Sequence, residues 1–221
     1  MTSPDPFLSA LSCAPIRPVQ LCPELRAHQA ADVFSVWSAG EASAGCSHSP
    51  PFWAAVWPGA ALLARLLLDQ PARVAGRRVW DLGCGGGVVG IAAMRAGAQR
   101  VTANDIDAFA LRATQVNAQL NNVDLSTELG DLTSQLGSFG AGDVLLVSEM
   151  FYEREAAREW ELGLRRACAQ GASVLVADGE RPFTPTTGSL LLREANLEVP
   201  FGLEGVHFRH TRVLEFQLPA S

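Results

Sequence analysis

The chain contains no lysine. All 17 basic residues are arginine, set against 23 acidic ones, for a formal charge of -6. A lysine Schiff base and a lysine general base are therefore excluded. Nonspecific nucleic-acid binding relies on basic surface, so no nucleic-acid partner is expected. Long apolar runs are also missing. The nearest candidate, Ala54 to Leu68, is broken by Pro58 and Arg65 and falls short of the ~18 residues that span a bilayer; no membrane association is expected. The five cysteines, Cys13, Cys22, Cys46, Cys84 and Cys168, are odd in number and form no Cys-x-x-Cys pair. That pattern suits a reduced, cytoplasmic compartment better than a disulfide framework. The four histidines, His28, His48, His207 and His210, do not suggest a ligand set, and no metal is assigned. The N-terminus carries no early basic residue and is interrupted by Pro4, Pro6, Pro15 and Pro18, so no secretory signal is read.

What remains is 221 residues, 48% hydrophobic, enough to bury one full core. Residues 1–50 read as an N-terminal extension, partly ordered: a loose tail to about residue 15, a short helix at Glu24–Ala31, and loop composition from Trp37 to Pro51. Residues 51–221 read as the main domain. It opens with a helix at Ala60–Leu68, whose Leu62, Leu63, Leu66 and Leu67 form an apolar stripe. From Arg77 onward strands and helices alternate. The strand candidates are Arg78–Leu82, Arg100–Asn104, Ser126–Leu129, Asp143–Ser148, Ser173–Ala177, Glu198–Phe201 and Arg212–Gln217. The helix candidates are Val88–Ala96, Ala108–Leu120, Glu155–Ala169 and Ser189–Ala195. Such alternation predicts an α/β, Rossmann-like doubly wound sheet of seven strands, mostly parallel. The last two strands lack a full helix between them, so they are expected to form an antiparallel edge hairpin.

The richest segment is Val79-Trp80-Asp81-Leu82-Gly83-Cys84-Gly85-Gly86-Gly87-Val88-Val89-Gly90. It reads as a strand ending in an acid, a glycine loop, and the start of an apolar helix. Glycines at 83, 85 and 87 let the backbone turn tightly and approach a ligand. A second acid, Asp105, follows the next strand, where it can hold a ribose. Gly85-x-Gly87-x-x-Gly90 also fits dinucleotide spacing. Asp81 tips the balance: an acid two residues before the first glycine suits the cationic, phosphate-free S-adenosylmethionine and would repel a pyrophosphate. In doubly wound sheets ligands lie at the carboxyl ends of the strands. Here those ends also carry Asp131, the run Glu149-Met150-Phe151-Tyr152-Glu153, and Ala177-Asp178-Gly179-Glu180-Arg181.

Pro50 to Gly59, Asp81-Leu82-Gly83-Cys84-Gly85, Asn104-Asp105-Ile106-Asp107 and Glu149 to Glu153 together resemble one branch of the class I methyltransferases. This branch contains the electron-transfer flavoprotein beta-subunit lysine methyltransferases and their bacterial relatives. Leu21 to Arg26 is similar to their lead-in, and the likeness spans roughly residues 18 to 217. The resemblance implies that S-adenosylmethionine is the cofactor. It implies that Gly83, Gly85 and Gly87 approach its methionine part, with Asp81 in support. Asp105 accepts from both ribose hydroxyls, Ile106 lies against the adenine, Asp131 takes the adenine amino group, and Leu132 lies beside it. Trp57 packs near the cofactor and the entry to the site, and Glu149 is the catalytic acid nearest the transferred methyl. Two positions depart from the family: Asp is commoner where Glu149 stands, and the loop at 177–181 more often reads Gly-Asp-Pro-Gly-Arg.

The implied activity is protein-lysine N-methylation, with the electron-transfer flavoprotein beta subunit as the partner and the enzyme a monomer. A narrow channel lined by Trp57, Phe151 and Tyr152 is expected to desolvate the acceptor amine. Because fold does not fix function, two alternatives stand beside this one. They are a small-molecule N-methyltransferase of the nicotinamide N-methyltransferase kind, and a non-catalytic cofactor-binding module. The intact set Asp81, Asp105, Asp131 and Glu149 counts against the last.

Overall fold

The computed structural model describes residues 5–30, 32–44, 49–199 and 204–217. Its centre is a seven-stranded sheet with strands β3 (Arg78–Leu82), β4 (Arg100–Asp105), β5 (Ser126–Leu129), β6 (Asp143–Ser148), β7 (Ser173–Asp178), β8 (Ser189–Glu198) and β9 (Phe208–Phe216). They lie in the order β5-β4-β3-β6-β7-β9-β8. The first five pair in parallel, and β9 runs antiparallel to both β7 and β8. The doubly wound sheet and its edge hairpin are as the sequence predicts. The strand order reverses between β3 and β6, and this switch point places the ends of β3, β4, β6 and β7 around one cleft.

Both faces of the central strands are apolar, as helices on each side require. Val79, Val101, Val144 and Leu146 pack under α3 (Pro58–Asp69) and α4 (Val88–Arg95) with Leu62, Leu63, Leu66 and Leu67. Leu82, Leu145 and Val147 face α6 (Arg154–Ala169), through Trp160 and Leu164. Helix α5 (Ala108–Leu120) is capped by Asp107, whose side chain accepts from the Phe109 amide, as its position predicts.

Several expectations need correction. Ser189–Ala195 is not a helix but the first part of β8. Its leucine-rich sequence favours a helix, yet pairing with β9 over Ser189–Glu198 overrides that preference, with a bulge between Leu191 and Arg193. The strand expected at Glu198–Phe201 ends at Glu198 in β8, and residues 200 and 201 lie outside the described residues. Glu24–His28 is strand, not helix: β2 (Cys22–His28) pairs with β1 (Ile16–Val19). Leu25 and Ala27 alternate inward, a period-2 signal that the helix reading passed over. The tail before residue 15 contains α1 (Pro6–Ser12), capped by Asp5 with proline in its first turn. The supposed loop from Trp37 is largely α2 (Val33–Ala44). It nests on α1 where Gly40 lies against the Ala10 methyl; a Cβ added at Gly40 would sit 3.7 Å away. Among the described residues no helix is long and apolar enough to cross a membrane.

Candidate active site

Two groups of residues meet at the carboxyl ends of the strands. The first is built by the glycine loop. Gly83, Gly85 and Gly87 all have left-handed backbone, with φ of +66°, +52° and +75°. At Gly87 a Cβ would lie 2.6 Å from Thr114 Cγ2. The acids that the sequence singles out hold this loop through backbone amides. Asp81 accepts from Gly90 at 2.8 Å. Asp105 accepts from Gly85 at 2.9 Å and from Asp107 at 3.0 Å. Helix α5 fixes the loop from behind: Thr114 donates to the Gly85 carbonyl at 3.0 Å and Asn117 to the Gly86 carbonyl at 2.8 Å. Asn117 and Asn121 also bind the backbone of β2 at His28 and Arg26. The β1–β2 hairpin and the loop therefore share one buried set of amides.

Burial pushes the Asp81 carboxyl up to about 7; the Gly90 amide pulls it down and the Asp105 charge raises it further. Burial also raises Asp105, although the amides of Asp107 and Gly85 oppose the shift. An acid buried this deeply favours a cationic ligand group that would restore its charge. Beyond Asp105, Ile106 is 76% exposed, a large apolar side chain with no core to fill. Leu129 is also exposed, while Leu132 is buried in the core cluster with Leu136 and Leu145. Asp131 is exposed and accepts from the Thr133 amide and hydroxyl at 2.9 and 2.7 Å, which hold its carboxyl below the usual range. Carboxylates at 105 and 131 with bare apolar surface between them match an adenosine in chemistry. S-adenosylmethionine therefore fits this donor set.

The second group surrounds Glu149. This residue directly follows β6 with φ of +62°, an uncommon conformation for a non-glycine residue and one that clusters at functional sites. Its side chain is buried. Oε1 accepts from the Gly59 amide, in the first turn of α3, at 2.7 Å. A Cβ at Gly59 would lie 2.8 Å from both Oε1 and the Ala177 carbonyl, so only glycine allows this approach. The other oxygen, Oε2, accepts from Arg181 Nε. The two terminal nitrogens of Arg181 donate to both oxygens of Glu204, at 3.0 and 2.7 Å. Glu204, itself buried, also accepts from Arg209 Nε at 2.9 Å. The Arg181 guanidinium lies 5.5 Å from the centroid of the Trp57 ring. Burial raises the Glu149 carboxyl, and the Arg181 charge and the Gly59 amide only partly offset it.

Adjacent residues tie the two groups together. Met150, next to Glu149, rests over Gly83, where a Cβ would lie 2.6 Å from its sulfur. Trp57 is half-buried, with Nε1 donating to the Phe52 carbonyl at 3.0 Å. Tyr152 is 57% exposed. Phe151 does not line a channel: it is fully buried in the core beneath α6. Trp53 is likewise core, 5.6 Å from the Phe7 ring. The sequence reading missed the partner of Glu149. Arg181, Glu204 and Arg209 obey no spacing rule, and the only signal was an arginine in the loop after β7.

A family model described as "Ribosomal protein L11 methyltransferase (PrmA)" matches residues 64–146. The chain is 40% identical over 138 residues to the electron transfer flavoprotein beta subunit lysine methyltransferase of Mus musculus, covering 61% of this chain and 53% of that one. The Danio rerio protein of the same name is 42% identical over 133 residues, covering 59% and 51%. The chain thus spans about half the length of the curated relatives it matches. A solved Thermoplasma acidophilum protein superposes with a TM-score of 0.55 at 16% identity, over 73% of this chain and 89% of its own. A candidate RNA methyltransferase of Pyrococcus horikoshii does so at 0.53 and 19%, over 72% and 82%. The architecture is the class I methyltransferase fold.

Proposed function

We propose that this chain is an S-adenosylmethionine-dependent protein-lysine N-methyltransferase. The substrate we assign is the electron-transfer flavoprotein beta subunit, or a protein with a similar lysine-bearing surface. The curated relatives named for that activity support the reading. The observation that carries it is the buried Glu149 carboxylate, bound by the Gly59 amide and by Arg181, with the adjacent Met150 resting over Gly83 of the glycine loop. Phe52, Tyr152 and Phe208 are each at least half exposed, which suits a docking protein chain. A cavity of about 220 Å³ does lie near Asp107, between α1, α2 and α5. None of its lining residues comes from the ends of β6 or β7, so it offers a small acceptor no seat beside Glu149.

The roles in this reading are as follows. Gly83, Gly85, Gly87 and Asp81 hold the methionine part of the cofactor, Asp105 the ribose, and Ile106, Asp131 and Leu132 the adenine. Trp57 borders the acceptor, and Glu149 is the catalytic acid. The cofactor supplies an electrophilic methyl on sulfonium, and the protein aligns the nucleophile with it and excludes water. A lysine acceptor must first lose its proton, which from a pKa of about 10.4 costs on the order of 4–5 kcal/mol at pH 7. Glu149 accepts a hydrogen bond from the neutral amine and aims its lone pair at the methyl. In this reading residues 51–221 form the catalytic domain and residues 1–50 an extension braced against its glycine loop. The enzyme acts as a cytoplasmic monomer with no nucleic-acid partner.

Incubation of the purified flavoprotein with enzyme and S-adenosylmethionine, followed by mass spectrometry, tests the assignment. Mass gains in steps of one methyl on lysine are expected. An unmodified flavoprotein alongside rapid methylation of a small amine moves the function to a small acceptor.

A further inference from the structure

A bare buried carboxylate beside the acceptor poses a chemical difficulty. An opposite charge within ~4–6 Å stabilises a cation and raises an amine's pKa by about 1–3 units. Glu149 alone would therefore hold the acceptor lysine protonated, the form that cannot attack a methyl group. The structure contains an answer. Arg181 Nε is bonded to the second oxygen of Glu149, and the guanidinium lies over the Trp57 ring, beside the seat proposed for the acceptor. We propose that Arg181 is a positioning residue that neutralises Glu149 and keeps the acceptor amine uncharged, while Glu149 retains the lone pairs that orient it. The inference rests on the lysine-methylation reading above.

A competing role, in which Arg181 swings away to admit the lysine, fits the network poorly. Arg181 is pinned at three points, by Glu149 Oε2 and by both oxygens of Glu204. Its departure would leave two buried carboxylates without this partner, the unfavourable way to break a buried pair. Arg209 cannot replace it, because its contacts are to Glu204 and not to Glu149. Burial opposes the Arg181 charge, but Glu204 and Glu149 overcome that and hold it protonated. The other charged groups are accounted for. Asp178, at the end of β7, is bound by Thr184 and the Glu180 amide and faces Arg212. His210 pairs with Glu180 and Glu194 at the surface. Helix α3 contributes only the Gly59 amide to the Glu149 carboxylate.

The absence of lysine from the chain makes a direct measurement possible. With the flavoprotein beta subunit labelled at lysine Cε with ¹³C, every lysine resonance of its complex with enzyme and S-adenosylhomocysteine comes from the substrate. The lysine that wild type methylates should titrate below its value in the free flavoprotein. In Arg181→Gln/Glu204→Gln, which removes one charge of each sign, its titration should rise by at least about one unit. The acid limb of kcat, which reports the bound complex, should rise with it. Arg181→Lys should leave the limb in place. If the double variant does not fold, Glu204→Gln alone serves: it removes an anion and should move the limb to lower pH. A limb and a lysine titration that stay fixed while kcat falls overturn the proposal and leave Arg181 a structural residue. A wild-type enzyme that methylates no lysine overturns the functional reading, and this inference with it.

Discussion

The two halves of the cleft hold their carboxylates by different means. At the β3–β4 end, Asp81 and Asp105 are bound by backbone amides no more than 20 residues away, at Gly90, Gly85 and Asp107. At the β6–β7 end, Glu149 and Glu204 are bound by arginine side chains over links of 32 and 23 residues, and the one backbone amide on Glu149, from Gly59, comes from 90 residues away. The first half needs only its own loop to form. The second requires three separate segments to arrive together, each bringing a charge that is costly to bury alone. The half proposed for the cofactor is thus a local structure, and the half proposed for the acceptor is a tertiary one.

The sharpest way to break that contrast is to remove one charge from each half. Arg181→Met strands Glu149 in the interior, leaves Glu204 with Arg209 alone, and should cost about 3–5 kcal/mol, visible as a fall in the urea midpoint. Asp105→Asn loses a charge-assisted bond beside a partly open cleft. Because burial already disfavours the Asp105 charge, the lost bond is largely offset and stability should change by no more than about 1 kcal/mol, with at least a tenfold loss of S-adenosylhomocysteine affinity by calorimetry. Equal destabilisation by the two would erase the distinction between a local and a tertiary half.

The next largest effect concerns pH. Asp81 binds its proton more tightly in the folded chain, where its pKa is about 7, than in the unfolded one, near 3.9. Its contribution therefore favours the folded state below about pH 4, declines as pH rises toward 7, and is flat above that. Asp81→Asn removes this dependence. Without ligand, the variant should match wild type near pH 4 and exceed it at pH 8 by about 4 kcal/mol, since each unit is worth about 1.4 kcal/mol. It should also bind S-adenosylmethionine less well. Parallel stability curves for the two proteins across this range would show that Asp81 is charged in the empty fold.

The smallest effect separates two glycines in one loop. Both Gly85 and Gly87 are left-handed, a conformation that costs a residue with a Cβ about 1–2 kcal/mol. At Gly87 the added methyl also meets Thr114 at 2.6 Å, whereas at Gly85 its nearest neighbour is 3.7 Å away. Gly87→Ala should therefore be less stable than Gly85→Ala. It should also disturb the Thr114 bond that holds the loop, and thermal melts of the pair decide the point.

This contrast also explains what could be read in advance. The cofactor half was legible because its chemistry is written as spacing: Asp81 two residues before Gly83, and Asp105 at the end of the next strand. The sheet was legible from the alternation of apolar strands and helices. Glu149 stood out as an acid at a strand end, but nothing in the sequence links it to Arg181, still less Arg181 to Glu204 and Arg209. The same limit produced the misread elements. Ser189–Ala195 has helical composition, and only β9, which begins more than ten residues later, makes it a strand. Glu24–His28 likewise takes its form from β1 and from Asn121.

The placement of β9 has a consequence for the order in which the molecule can assemble. β9 follows β8 in sequence but lies between β8 and β7 in the sheet. During vectorial synthesis β8 emerges with no strand to join and must wait until residues 208–216 have been made. The glycine loop, by contrast, is complete once α5 has formed. A nascent chain can thus close its cofactor half early, while the residues that accompany Glu149 remain apart until the final strand is threaded into its gap.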